Sequence, residues 1–293
     1  MSLLQRLETQ LPKIVVAPTF LCALLFIYGF ILWNAYLSFT PSRMLPNYEF
    51  VGLIQYQTLF ENERWWTALK NLGIFSFLFV GIALVIGLLL AILLDQKIRG
   101  EGWIRSIYLY PMALSFIVTG TAWKWMLNPG LGLEKMLREW GFADFTFDWL
   151  VNPEKSIYTV VIAAVWQSSG FVMALFLAGL RSIDDSIIKA AQIDGASMPR
   201  IYARIVIPSL VPVFISVIMI LTHIAVKSFD LVMALTGGGP GFSSDLPATF
   251  MYSFSFTRNQ IGVGAASAMM MLMMMAAVIV PLMYSDLRRT KGT

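Results

Sequence analysis

Charge is scarce in this chain. Only 13% of its 293 residues are Asp, Glu, Lys or Arg, about half the share of an ordinary soluble domain, where it is about 25%. A water-soluble globule is thereby excluded. Cysteine occurs once, at Cys22 inside the first apolar run, which rules out a disulfide framework and a cysteine-rich metal centre. Histidine also occurs once, at His223, so no second imidazole exists to share a metal. The chain has no Gly-x-x-x-x-Gly-Lys-Ser/Thr segment to cradle phosphates, no His-Glu-x-x-His helix and no Gly-x-Ser-x-Gly elbow. It is expected to be no enzyme, to bind no metal and to carry no cofactor of its own.

What it has is hydrocarbon. Apolar residues make up 58% of the sequence and fall into runs at roughly 14–38, 72–94, 104–127, 157–180, 209–235 and 261–284, six candidate helices near the length of about 20 residues that spans a bilayer. The expected fold is an all-α polytopic membrane protein with both termini on one side. The first run outlasts the 7–15 residues of a signal-peptide core and is followed by no small-residue cleavage site, so it is read as a retained helix. The net charge of +4 reflects orientation rather than nucleic-acid binding. Twelve basic residues lie in the segments on the side of the termini: Arg6, Lys13, Lys97, Arg99, Arg105, Arg181, Lys189, Arg200, Arg204, Arg288, Arg289 and Lys291. The opposite segments hold eight, offset by nine acids between Glu49 and Asp245. By the positive-inside rule both termini are cytoplasmic.

Trp33, Trp65, Trp66, Trp103, Trp123, Trp125 and Trp166 lie at or near the ends of these runs, as headgroup-level rings would. The outer loops 40–71 and 128–156 are long enough for short surface helices and are candidate docking surface. The methionine-rich tract 269–275 reads as adaptable helix packing or lipid contact.

One polar segment between two spanning runs has the marks of more than a connection. Ser182-Ile183-Asp184-Asp185-Ser186 supplies a helix N-cap region with acids at the positive dipole end. A short helix is expected from Ile187 to Ile193, then a turn at Gly195, then a second short helix with Pro199 in its first turn and carrying Arg200 and Arg204. Within it, Lys189-Ala190-Ala191-Gln192-Ile193-Asp194-Gly195 is followed nine residues later by Ile205-Val206-Ile207-Pro208. This resembles the cytoplasmic coupling loop of importer-type ABC transporter permeases, Glu-Ala-Ala, three residues, Gly, nine residues, Ile-x-Leu-Pro. Phe229-Asp230-Leu231 leading to Leu235-Thr236-Gly237-Gly238-Gly239-Pro240-Gly241, the start of the last run at Gly262-Val263-Gly264-Ala265-Ala266, Trp166 and Leu109-Tyr110-Pro111 resemble carbohydrate-uptake permeases of the same kind.

The resemblance covers about Ala68 to Tyr284. It implies an N-terminal segment 1–67 holding the first helix, a permease core at 68–285 and a cytoplasmic tail at 286–293. It also implies partners: a second permease chain, two cytoplasmic ATPases that bind ATP and magnesium, and a periplasmic solute-binding protein, all at the bacterial inner membrane and none a nucleic acid. The coupling residues implied are Asp185, Lys189, Ala190, Ala191, Ile193, Asp194, Gly195 and Arg200, with Ala190, Ala191 and Ile193 inserting into an ATPase cleft. Lys189 stands where the family usually has glutamate, and Asp185, one turn earlier, could take over its contact. The substrate path implied runs by Gln167, Ser168, Phe171, Leu221, Ala225 and Ser228.

His223, Lys227 and Asp230 are spaced to share one face of the fifth helix. Ionisable groups at that depth face a water-filled path or one another, so Lys227 and Asp230 either border the path or form a satisfied polar cluster. The closest likeness is to glucose and mannose permeases, with maltose and glycerol 3-phosphate systems as relatives. A secondary transporter titrating Asp230 is the rival reading, and it leaves the patterned loop unexplained.

Overall fold

The computed structural model describes residues 3–96 and 98–291. Lys97, Gly292 and Thr293 lie outside the described residues, and with them one counted basic residue and the end of the expected tail. The regular structure of the described residues is helical, with no strand among them. Fifteen α-helices follow in chain order: α1 Leu3–Ala23, α2 Gly29–Leu37, α3 Ile54–Phe60, α4 Glu63–Leu94, α5 Glu101–Leu109, α6 Phe116–Met126, α7 Leu133–Glu139, α8 Ser156–Leu180, α9 Asp185–Ile193, α10 Met198–Ile201, α11 Ile207–Ser209, α12 Val211–Val226, α13 Asp230–Leu235, α14 Pro247–Tyr252 and α15 Ile261–Lys291. Wider π turns at Leu24–Tyr28 and Tyr202–Val206 carry α1 into α2 and α10 into α11. The short α3 and α7 sit in the two long loops, 40–71 and 128–156, that have room for such helices.

Among the described residues, four apolar helical stretches are long enough to cross a membrane: Val15–Leu37, Glu63–Leu94, Ser156–Leu180 and Ile261–Ser285. Met198–Ser209 and Val211–Val226 together are also long and apolar enough, as one broken span or a re-entrant pair, with a bend of 62° between them. The run at 104–127 departs from the single helix expected of it. Its helix α5 gives way to a 3₁₀ turn at Tyr110–Ala113, then to extended Leu114, before α6 begins. Pro111 lacks the N–H that a continuing helix needs, and Ser115 restarts the chain as an N-cap, its hydroxyl accepting from the Val118 amide at 3.3 Å. At the C-terminal end the apolar span closes at Ser285 and α15 runs on through Lys291, so residues 286–291 of the expected tail are helical.

The chain divides into two compact units, Met1–Asn62 with Met251–Met270, and Glu63–Phe250 with Met271–Thr293. This division differs from the sequence boundary at 67/68. In the first unit the Gly262 amide donates to the Ser42 carbonyl at 2.9 Å and Asn34 Nδ2 to the Ala265 carbonyl at 3.4 Å, so the start of α15 closes on the loop after α2.

The second unit holds the main core. Helices α4, α8 and α12 bury Phe75 and Phe79, which stack at 5.4 Å, and Phe176, which meets Phe214 edge-on at 4.7 Å. Met271, Met274 and Met275 pack against this core, in line with their reading as filler. Gly170 is required where α8 meets the end of α5, because a Cβ there would lie 1.8 Å from the Tyr108 carbonyl oxygen. Two tryptophans depart from the headgroup position expected of them. Trp65 is completely buried beside Phe250, while Trp166, midway along α8, packs edge-on against Trp123 at 5.9 Å.

Candidate functional site

The polar segment after α8 is a helix-turn-helix whose ends are set by its own side chains. Asp184 is extended and its carboxylate accepts from the Ser186 amide at 2.8 Å, starting α9 two residues earlier than the expected Ile187. That bond holds the Asp184 carboxyl below the usual aspartate range. At the other end Gly195 has φ +78°, a conformation open to glycine and strained for other residues. Its amide donates to the Gln192 carbonyl and the Ala196 amide to the Ala191 carbonyl, both at 3.0 Å, closing the paired bonds of a Schellman turn. Pro199 then occupies the first turn of α10 as the sequence indicates.

One face of this segment packs inward through Ile183, Ile188, Ala191, Ala196, Tyr202 and Ile205 over buried Ile201 and Val206. Ala191 is therefore half-buried on the anchoring face, a correction to its expected role as an inserted residue. The outer face presents Ile187, Ala190 and Ile193, the last 86% exposed, together with Asp185, Lys189, Asp194, Gly195 and Arg200. Ile193 thus stands as an exposed apolar side chain on a short helix capped at both ends. Ile187 was missed in the sequence, although it precedes Ala190 by the three-residue spacing of one helical face.

Deeper in the chain, the fifth run is not one helix at Lys227. Helix α12 stops at Val226, Lys227 caps it through amide bonding to the His223 carbonyl, and α13 starts afresh at Asp230. The shared helical face expected for His223, Lys227 and Asp230 is thus replaced by a break. The three nevertheless converge, because the break folds around a cavity of about 170 Å³ lined by Phe116, His223, Lys227, Ser228 and Asp230 among others. His223, Lys227 and Asp230 are exposed, and no ion pair joins them to one another among the described residues.

The remaining path residues divide differently. Leu221 and Ala225 are fully buried in the core between α12 and its neighbours, a correction to their expected place on the path. Ser168 is buried and Phe171 half-buried on α8. Gln167, 4% exposed, donates from Nε2 to the Leu114 carbonyl at 2.7 Å and so serves the acceptor freed by the break in the third run. Its Oε1 is buried with no partner among the described residues.

Sequence reasoning missed a polar knot under the glycine-rich loop. Arg64 pairs with buried Asp245, and Asn71 Nδ2 donates to the Ser243 and Asp245 carbonyls at 3.0 Å each. Arg64 also lies over the Phe242 ring, 4.3 Å from its centroid. A lone acid next to an apolar stretch, at Asp245, was the only trace of it.

Residues 83–288 match the family described as "Binding-protein-dependent transport system inner membrane component". The chain is similar to a probable ABC transporter permease protein of Pyrococcus horikoshii, at 40% identity over 95% of this chain and 97% of the relative. It is 37% identical to a xylose/arabinose import permease protein of Haloferax volcanii, over 88% and 82% of the two chains. A trehalose/maltose transport system permease protein of Thermococcus litoralis is 31% identical over 90% and 89%. Among solved structures, a chain of a bacterial ABC transporter involved in the import of the acidic polysaccharide alginate superposes with a TM-score of 0.84 at 20% identity, covering 98% of each chain, a likeness of fold.

Proposed function

The chain belongs to the family of binding-protein-dependent transport system inner membrane components, and on that footing we propose that it is one permease half of an ATP-driven sugar importer, coupled to its ATPases through residues 181–208. The observation that carries the reading is the capped helix α9, whose exposed Ile187, Ala190 and Ile193 stand on a core-anchored base. A short helix stopped at both ends moves as a rigid body, so a push on its outer face travels into α8 and α12.

The partners are a second permease chain, two cytoplasmic ATPases that hold ATP and magnesium, and a periplasmic solute-binding protein. Both termini are cytoplasmic in this reading, because the basic residues concentrate on that side. Asp185 and Lys189 lie on the exposed side of α9 and are free to meet complementary charges on an ATPase.

The cargo is a small sugar. Relatives named for xylose and arabinose and for trehalose and maltose support that class, and glucose and mannose remain the first monosaccharides to try. Lys227, Ser228 and Asp230 border the path at the break between α12 and α13, where donors and acceptors can meet hydroxyls. Lys227 also keeps glycerol 3-phosphate in view, the substrate named for permeases 31% identical to this chain. Gln167 would add an acceptor if its buried Oε1 is reached by a hydroxyl donor.

The test is uptake of radiolabelled glucose, mannose, xylose, arabinose, maltose and trehalose by vesicles holding the assembled complex, with and without ATP. ATP-dependent uptake of at least one sugar, lost in Gly195→Asp at matched expression, is the expected result. Uptake driven by a proton gradient alone would refute the reading.

A further inference from the structure

The turn between α4 and α5 grips the coupling segment at both of its ends. Where the segment leaves α8, Arg181 Nη2 donates to Glu101 Oε1 at 2.8 Å and Arg181 Nε lies 3.7 Å from Asp95 Oδ1. Where the segment returns toward α12, Gln96 Nε2 donates to the Tyr202 hydroxyl at 3.2 Å. These polar contacts stand over an apolar floor of buried Leu94, Leu180 and Ile201.

The charges suit the helix ends they join. Helices α4 and α8 both finish here, and a helix C-terminus carries partial negative charge that favours a cation. Asp95, one residue beyond the last residue of α4, adds an anion at the wrong pole and needs Arg181 to offset it. Glu101, in the first turn of α5, stands at the pole where an acid is favoured. The Arg181 bond holds the Glu101 carboxyl below its usual range, and the guanidinium is raised in return. Further along, α5 is pressed against α8 at Gly170, so its two ends are fixed to the same helix.

From this geometry we infer that the α4–α5 turn is a second receiver of ATPase movement, with Arg181 as the positioning residue that carries displacement of α9 into α5 and the broken third run. The inference rests on the coupling role proposed for residues 181–208. Arg181 touches neither nucleotide nor cargo in this scheme. It fixes which helices follow when α9 moves.

The test uses the whole complex in lipid nanodiscs, with the partner subunits cysteine-free and this chain carrying Cys22→Ser and Trp103→Cys. Trp103 is 81% exposed on α5, and a bimane attached there reads the movement of that helix without any sugar. ATP with vanadate is expected to change the bimane emission in the otherwise unaltered chain. Arg181→Gln should diminish that change by about fivefold or more per molecule of trapped nucleotide, the span of an energetic coupling. Arg181→Lys should keep most of it, and Arg181→Gln with Glu101→Gln should be no worse than Arg181→Gln alone, as expected for partners in one contact. If Arg181→Gln does not assemble, Glu101→Gln breaks the same pair from the other side and is read in the same way. A full response in the variant that assembles, or trapping without any response in the unaltered chain, overturns the inference. A normal response from a complex that imports none of the sugars overturns the cargo reading and leaves this one standing.

Discussion

Arg64 Nε donates to Asp245 Oδ2 at 2.6 Å, joining the first turn of α4 to the end of the glycine-rich loop 181 residues later. The carboxylate is 1% exposed and its other oxygen accepts from the Thr249 hydroxyl, so the pair is a fixed point for the loop rather than a surface contact. Removing one partner of such a buried pair costs about 3 kcal/mol, because the other charge is left without compensation. Arg64→Met is expected to lower the unfolding midpoint of the detergent-solubilised protein markedly, and Arg64→Met with Asp245→Leu to lower it less than the sum of the singles. Additive losses in a thermal unfolding series would show that the two side chains act separately.

Gly170 and Gly73 make a matched pair of tests. A methyl at Gly170 meets a backbone carbonyl, whereas a methyl at Gly73 meets nothing within 4 Å. Gly170→Ala should cost about 3 kcal/mol through forced separation of α5 and α8. Gly73→Ala should be neutral or stabilising by up to about 1 kcal/mol, from helix propensity alone. Folded yield by size-exclusion chromatography checks both.

Asp184 predicts a pH dependence at the start of α9. The Ser186 amide, with a further contribution from the Ser186 hydroxyl, lowers the pKa of this carboxyl. A group depressed on folding contributes fully above the ordinary aspartate range near about pH 4 and loses that contribution as pH falls through its lowered value. Amide exchange at Ser186 and Ile187 should therefore quicken below that range, beyond the intrinsic pH effect. Asp184→Asn keeps a capping side chain and should remove the excess, as mass-resolved exchange would report.

The outer face of α9 predicts an interface. Ile193→Asp places a charge on its most exposed apolar side chain and should weaken ATPase retention about tenfold in co-purification, a loss typical of an interface anchor. Ala191→Ser, on the anchoring face, should leave retention nearly unchanged. Equal losses from both would mean that α9 is disrupted as a whole.

Asp230→Asn separates ATP-driven import from ion-driven exchange. The carboxylate is exposed at the helix break with no ion pair among the described residues. ATP-dependent uptake should persist in reconstituted vesicles at a substantial fraction of the original rate. Abolished uptake together with a proton-dependent unaltered chain would assign energisation to this carboxylate.

The spans were legible because apolar runs of bilayer length have few alternatives, and α9 was legible because Asp184 and Gly195 are local signals acting within a few residues. The break at Lys227 was hidden for the opposite reason. Nothing in Ala225-Val226-Lys227-Ser228-Phe229 forbids a helix, and regular spacing across it led to a face that does not exist. Pro111 announced a weak point in the third run, but the stabilising partner of that break, Gln167, lies far along the chain. Ala191 and Ile193 looked equivalent in the sequence, and only the packing of α9 shows one turned inward and the other outward.

The bond from Gln167 to the Leu114 carbonyl also bears on how the chain is made. A freed carbonyl that is shut away from water costs about 1–3 kcal/mol when no donor reaches it, and here the donor is 53 residues downstream. While the ribosome is still short of α8, the stretch around Pro111 has no such relief within the completed part of the chain, and Gly170, the close-packing point for the end of α5, has not been synthesised either. This contact can therefore form only once α8 has been made, and truncations ending before Gln167 should leave the Leu114 carbonyl without the donor it has in the finished protein.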